Sequence, residues 1–239
     1  KLLQVSQSDS TKLFIQLQLF GYYYAFDTVK SEQYLSNVIK EVDVEKISPI
    51  ILFEIGKVYE NYKNDYLNAI KYYELASTES KNESDPNFIV YYSWLGYTYS
   101  KIGESEKAIV ILINAVELAE SQKQETKLPR TYLLLAFAYR DLNKLDKAEL
   151  YFNKSLQVSN TIGDSTDIHT SLHEIGNLYN LKSDYKKAVE FHSKALEIRE
   201  RMNLINVLVY SYHDISLDYY AMGNLEMALK YAFAAEKLA

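Results

Sequence analysis

The chain of 239 residues has no cysteine. That excludes disulfides, thiolate nucleophiles and cysteine-based zinc sites, but leaves the compartment open. No Lys/Arg-rich block occurs, and the net charge is −6 with a sequence pI of about 5.4. A sequence-independent nucleic-acid binder needs a basic track along the phosphate backbone, so that class is not expected. No apolar run is long enough to span a membrane, and no signal peptide is visible. The first residue is Lys1 rather than Met, and Ala239 falls inside an apparent helix. Both ends are therefore expected to be cut, with flanking segments belonging to a parent protein. Only three prolines and seven glycines are present. Nearly all of them fall at helix starts, turns or close helix contacts, so no glycine-rich phosphate loop remains.

Tyrosine is plentiful, with 23 residues, and the hydrophobic share of 48% is ample for a core. Residues 173–204 show how these residues are used. Small residues stand at Gly176, Ala188 and Ala195, and aromatics at Tyr179, Tyr185 and Phe191. Apolar residues recur at three- and four-residue spacing around a polar break at 182–184, which predicts two helices joined by a tight turn. The pattern returns every 40 residues. Gly56, Gly96, Ala136, Gly176 and Ser216 hold one register; Tyr59, Tyr99, Tyr139, Tyr179 and Tyr219 follow three residues later. Ala108, Ala148, Ala188 and Ala228 come next, with Ala69 one residue late in its copy. Ala76, Ala115, Ser155, Ala195 and Ala235 close the unit. A fixed period with fixed small and aromatic positions is the signature of a helical repeat array.

The order L-G-x-x-Y followed by A-x-x-x-(F/Y)-x-x-A resembles the tetratricopeptide repeat. Leu95, Gly96, Tyr99, Ala108 and Ala115 match it closely, as do Ile175, Gly176, Tyr179, Ala188 and Ala195. The usual period is about 34 residues, so each unit here carries about six more. The resemblance implies an all-α, right-handed superhelix of about six antiparallel helix pairs that binds proteins or peptides without catalysis. It does not say which client is bound. The opening SDSTKL, a degenerate helix pair and then 40-residue units also resemble the sensor regions of tetratricopeptide-containing bacterial two-component histidine kinases.

One array over 1–239 is expected, with a divergent first unit at 1–46 and further units at 48–86, 87–127, 128–166, 167–206 and 207–239. Residues 1–10 read as a polar lead-in, with first helices at 13–26 and 31–42. Pro49 and Pro129 suit helix starts, where a missing N–H costs nothing. Gly103, Asn143, Ser183 and Gly223, again 40 apart, suit left-handed helix ends, serine least well. The last helix puts Ala228, Leu229, Ala232 and Ala235 on one side with no polar capping helix after it. Either the native chain continues, or that end packs on another subunit. In adjacent tyrosine pairs such as Tyr72/Tyr73, one ring is expected inward and its neighbour elsewhere.

By analogy with the family, the first helix of each pair lines a concave groove. The candidate ligand contacts are Lys57, Tyr97, Lys101, Phe137, Arg140, His173, Asn177, Asn180, His213 and Tyr220. Amides can hold a peptide backbone through donor and acceptor together, and aromatics supply buried area. A chaperone-tail clamp would need Lys and Asn four apart on the first helix. Phe53/Lys57, Ser93/Tyr97, Leu133/Phe137 and His173/Asn177 do not match. His169 and His173 share a helix face, and His213 lies 40 residues after His173, but no carboxylate or cysteine set completes a zinc site. No metal, cofactor or catalytic residue is expected. His192 takes a core-like position, and the run 199–201 reads as a charged helix end.

The reading is a protein- or peptide-binding module, the sensory or interaction region of a larger bacterial signalling protein. Its partner would be a protein or peptide in the groove, with a homodimer as a further option and no nucleic acid. The module would be extracytoplasmic if it belongs to a sensor, and otherwise cytoplasmic. The alternatives are a cytoplasmic peptide-pheromone receptor of the Rap type or a free-standing assembly scaffold. The Rap type carries an N-terminal helical bundle or helix-turn-helix that these residues lack.

Overall fold

In a computed structural model, residues 2–42, 47–83 and 85–238 are described. Among them are twelve α-helices, one 3-10 turn at Glu125–Lys127 and no strand. The fold is thus an all-α repeat of helix pairs, as the periodicity predicts. The chain divides into two compact units, 1–115 and 116–239, and the division falls within the sixth helix.

The first unit holds α1 (Leu2–Tyr24), α2 (Thr28–Glu41), α3 (Pro49–Lys63), α4 (Tyr66–Glu83), α5 (Phe88–Lys101) and the start of α6 (Ser105–Ser121). Helix α1 packs on α2 and α3, and α4 packs on α3 and α5. The buried side chains include Phe20, Val38, Ile51, Leu52, Ile55, Tyr73, Ile89, Tyr91 and Leu112. Phe53 lies 5.3 Å from the Tyr73 ring and 4.9 Å from the Tyr91 ring, so one side chain joins α3, α4 and α5. The small residue Gly56 is dictated by this packing. A Cβ there would stand 2.5 Å from Tyr73 Cε1.

The lead-in expectation fails. Helix α1 begins at Leu2, not near residue 13. No proline or glycine interrupts residues 2–12, and polar residues alone do not stop a helix. Helix α2 begins at Thr28 rather than 31, because Asp27 accepts a hydrogen bond from the Lys30 amide and caps it. The expected first boundary, at residue 46, lies outside the described residues. The tyrosine-pair expectation fails at Tyr72 and Tyr73, which are both buried. Tyr72 stacks on Tyr59 at 5.6 Å, while Tyr73 packs on Phe53.

The second unit holds the rest of α6, then α7 (Leu128–Asp141), α8 (Leu145–Ile162), α9 (Ser165–Leu181), α10 (Tyr185–Arg201), α11 (Ile205–Ala221) and α12 (Leu225–Leu238). The helices pair as α7–α8, α9–α10 and α11–α12, with α8 on α9 and α10 on α11. Leu133, Leu135, Ala136, Phe152, Ile175, Leu178, Ala188, Ala195 and Ile215 are fully buried. Ser155 takes the place of alanine in its register, and its hydroxyl meets the Pro129 carbonyl and the Ser171 hydroxyl, each at 2.9 Å.

The turns repeat the register in backbone geometry. Gly103, Asn143, Ser183 and Gly223 all have positive φ, from 55° to 86°. After each, an amide bonds back to the tyrosine carbonyl of the repeat: Glu104 to Tyr99, Lys144 to Tyr139, Asp184 to Tyr179 and Asn224 to Tyr219, at 2.9–3.0 Å. This is the left-handed helix end with its long return bond. A second left-handed set, Lys123, Gly163 and Asn203, also runs at 40-residue spacing between successive pairs. At the end of the chain, Leu217, Tyr220, Leu225, Leu229 and Phe233 are exposed, while Ala228 is buried.

Candidate functional site

The ten candidate residues fall in two groups, one in each unit. In the first unit, Lys57 pairs with Glu54 at 3.1 Å. The Lys101 ammonium lies 4.8 Å from the centre of the Tyr97 ring, and Tyr97 meets Trp94 edge-on at 5.6 Å. Behind them Glu60 is buried and accepts a 2.6 Å hydrogen bond from the Tyr73 hydroxyl. Burial raises its pKa above the usual carboxylate value, against the Tyr73 bond and the charges of Lys101 and Lys57.

The second unit gathers a denser set along α7, α9 and α11. Arg140 lies over the Phe137 ring at 4.8 Å and donates to Glu174 at 3.0 Å. His173 Nε2 bonds Asp214 Oδ2 at 2.9 Å, and its Nδ1 is 3.5 Å from Glu174 Oε1. The Asn177 amide nitrogen reaches Glu174 and His173 Nδ1, each at 3.4 Å. Asn180 donates to Asp218 at 2.6 Å. Five of the ten candidates (Phe137, Arg140, His173, Asn177 and Asn180) thus share one connected surface.

His213 and Tyr220 stand apart from it. His213 is exposed, 3.9 Å from Asp214, and Tyr220 is exposed beside Leu217, Leu225 and Leu229. Among the described residues no group of three or more His, Cys, Asp or Glu is placed to hold a metal ion. No described helix is long and apolar enough to cross a membrane.

The charges of this surface are tuned by contact. Burial depresses the His173 pKa, but the bonds to Asp214 and Glu174 outweigh it and raise the net value above the ordinary one. Burial works to raise Asp214 and Glu174, and the His173 bond reverses it, so both end below the usual carboxylate range. The carboxylates therefore stay ionised, and the surface offers fixed acceptors beside two amides and one guanidinium.

Several members of the network were not singled out in the sequence. His192 is buried, as its register suggests, but its contacts are polar. Nδ1 lies 2.6 Å from Asp218 Oδ2, and Nε2 lies 3.2 Å from Asn177 Oδ1. The ring fills the space over Gly176, where a Cβ would be 2.3 Å from Cδ2. The signal was present: His192 replaces Leu112 and Phe152, and Asp218 replaces Ala138 and Leu178, in their 40-residue registers. Arg199 stands in the last turn of α10, in the charged helix end that the sequence suggests, but it does not face solvent. It is buried, donating from Nε to His169 Nδ1 at 3.3 Å and from Nη1 to Ser211 Oγ at 2.6 Å.

Antiparallel helix pairs, left-handed ends and small residues at close crossings define a helical repeat protein. Residues 88–161 and 170–203 match models of the tetratricopeptide repeat family. The regulatory protein RapG of Bacillus subtilis is 25% identical over 182 residues, covering 73% of this chain and 48% of its own. A signal-transduction ATPase with a tetratricopeptide repeat sensor from Pyrococcus horikoshii superposes with a TM-score of 0.72 at 20% identity, covering 98% of this chain and 35% of that one. A Rap protein complexed with Competence and Sporulation Factor superposes with a TM-score of 0.62 at 13% identity, covering 95% and 74%. The chain spans less than half the length of the curated relatives it matches.

Proposed function

We propose that this chain is the ligand-recognition part of a larger regulatory protein, and that the α7–α9–α11 face of its second unit binds an extended peptide or partner segment. The observation that carries this reading is the row Arg140, Glu174, His173, Asn177 and Asn180, fixed to Asp214 and Asp218. Prepositioned donors and acceptors bind a peptide backbone without a large ordering cost. Exposed Tyr220, with Leu217, offers a separate apolar anchor on α11, apart from the row. Lys57, Tyr97 and Lys101 form a separate candidate surface in the first unit. The recognition event is binding, with no chemistry performed by these residues.

Similarity to RapG favours a bacterial peptide-responsive regulator. A two-component sensor remains the second reading, supported by the likeness to a tetratricopeptide repeat sensor region. Panning a random-peptide display library against the purified chain tests the binding. Enriched peptides should lose about tenfold in affinity, or about 1.4 kcal/mol, when Asn177→Ala or Tyr220→Ala is introduced. Failure to enrich any sequence, or equal affinity for both variants, would sink the assignment.

A further inference from the structure

Both asparagines of the peptide face are held from behind by residues sealed from solvent. Asp218 on α11 is wholly buried, and His192 on α10 is 2% exposed. Asp218 Oδ2 lies 2.6 Å from His192 Nδ1, and its Oδ1 accepts from Asn180 Nδ2 at 2.6 Å. The other ring nitrogen, Nε2, lies 3.2 Å from Asn177 Oδ1. One buried pair thus touches both amides.

The chemistry of the partners fixes which way each amide faces. An ionised carboxylate only accepts hydrogen bonds. The Asn180 atom beside Asp218 is therefore the nitrogen, and the carbonyl oxygen is the free end. That oxygen has no partner among the described residues and is not sealed from solvent. Asn177 is held in the opposite sense. Its nitrogen faces the Glu174 carboxylate at 3.4 Å, so its oxygen is the atom spent on His192. Of the two amides, only Asn180 offers a free acceptor.

Packing alone does not call for the polar pair. In the preceding 40-residue register Phe152 and Leu178 take these two places, and both are fully buried. There the residue in the Asn180 register is Arg140, which is held by Glu174 instead. A buried ion pair gains little over apolar residues of similar volume, and its best-attested use is to specify one arrangement. The arrangement specified here is that of the Asn180 amide.

We propose that His192 and Asp218 are positioning residues of the peptide face. They hold Asn180 with its carbonyl oxygen toward the ligand, so the ligand must donate a hydrogen bond at that point. In an extended segment the donor is a backbone N–H. The proposal rests on the reading of α7, α9 and α11 as a peptide face. An amide free to turn meets a donor or an acceptor equally well. A held one accepts only, and it rejects a ligand whose N–H is replaced by an ester oxygen, because two acceptors then oppose each other.

The test uses the most enriched peptide from the display selection and its ester analogues, each with one backbone N–H replaced by oxygen. Binding to the whole chain is followed by titration calorimetry. With the wild type, one analogue should lose about tenfold in affinity, and with Asn180→Ala that same analogue should bind as the parent peptide does. The His192→Phe/Asp218→Leu double variant should melt near the wild type yet lose most of the discrimination at that position. A purely structural pair would leave the discrimination intact. Asp218→Asn keeps the volume but can donate or accept; it serves if the double variant folds poorly, with the same loss expected. An ester scan in which no loss depends on Asn180, or full discrimination in a folded variant of the pair, overturns the proposal while the peptide face stands. If no peptide is enriched, both fall.

Discussion

His192 on α10 and Asp218 on α11 face each other at 2.6 Å, with the Asp218 side chain wholly buried and that of His192 nearly so. The same register elsewhere in the chain holds Phe152 and Leu178, both apolar. One pair of polar residues has therefore replaced an apolar contact between successive helix pairs.

Removing either partner leaves the other buried with one polar contact, Asn180 for Asp218 and Asn177 for His192. His192→Phe and Asp218→Leu are each expected to cost about 3–5 kcal/mol. The double variant restores the residues found in the neighbouring registers and should recover most of the loss. A double-mutant cycle by urea unfolding measures this, and strictly additive losses would show that the two residues are not coupled.

Gly176 is required by the same ring. A Cβ at this position would meet His192 Cδ2 at 2.3 Å, so Gly176→Ala must move the imidazole away from Asp218. The expected cost is about 1–3 kcal/mol of overpacking, despite the better helix propensity of alanine. Combining it with His192→Ala should remove most of the penalty, and thermal melts of the three variants show whether it does.

The acid side of the stability profile should carry His169. Its folded pKa is about 4, against 6.5 as the ordinary value. The unfolded chain takes up the proton first, so stability falls as pH drops from about 6.5 to about 4. His173 acts in the opposite sense. Its raised pKa contributes stability that is full below 6.5 and is lost as pH rises through the folded value. His169→Gln should remove about 3 kcal/mol of the acid-side fall over that window. Urea midpoints measured across the window check it, and an unchanged slope would show that His169 is not the group responsible.

Two left-handed positions carry residues poorly suited to them. Ser183 has φ 61° where Gly103 and Gly223 stand in register, and Lys123 has φ 54° where Gly163 does. Ser183→Gly and Lys123→Gly should each stabilise the protein by about 0.5–1 kcal/mol. Unfolding midpoints that fall instead would indicate that the side chains make contacts worth more than the backbone strain.

The turn register was legible because glycine and asparagine recur at Gly103, Asn143 and Gly223. The companion register was missed because Lys123 carries no turn signal, although Gly163 and Asn203 do. The helix pairs were legible from tyrosine and small-residue spacing, but the start of α1 was not, since polar residues before Leu13 looked like a lead-in. In the site, Arg140, His173, Asn177 and Asn180 were reached by analogy. Nothing local marks Asp218 or Arg199 as inward-facing, because charged residues near helix ends ordinarily face water.

By itself the sequence determined the 40-residue period, the paired helices and the places where backbones cross closely. These follow from local propensity and from contacts between neighbouring segments, which repeat with the residues that make them. Only the tertiary structure decided that His192 meets Asp218 26 positions away, and that Arg199 turns inward to His169. Such pairings depend on which rotamers fit a packed interface and on which charges burial leaves unpaired. A periodic pattern of apolar and small residues carries neither piece of information.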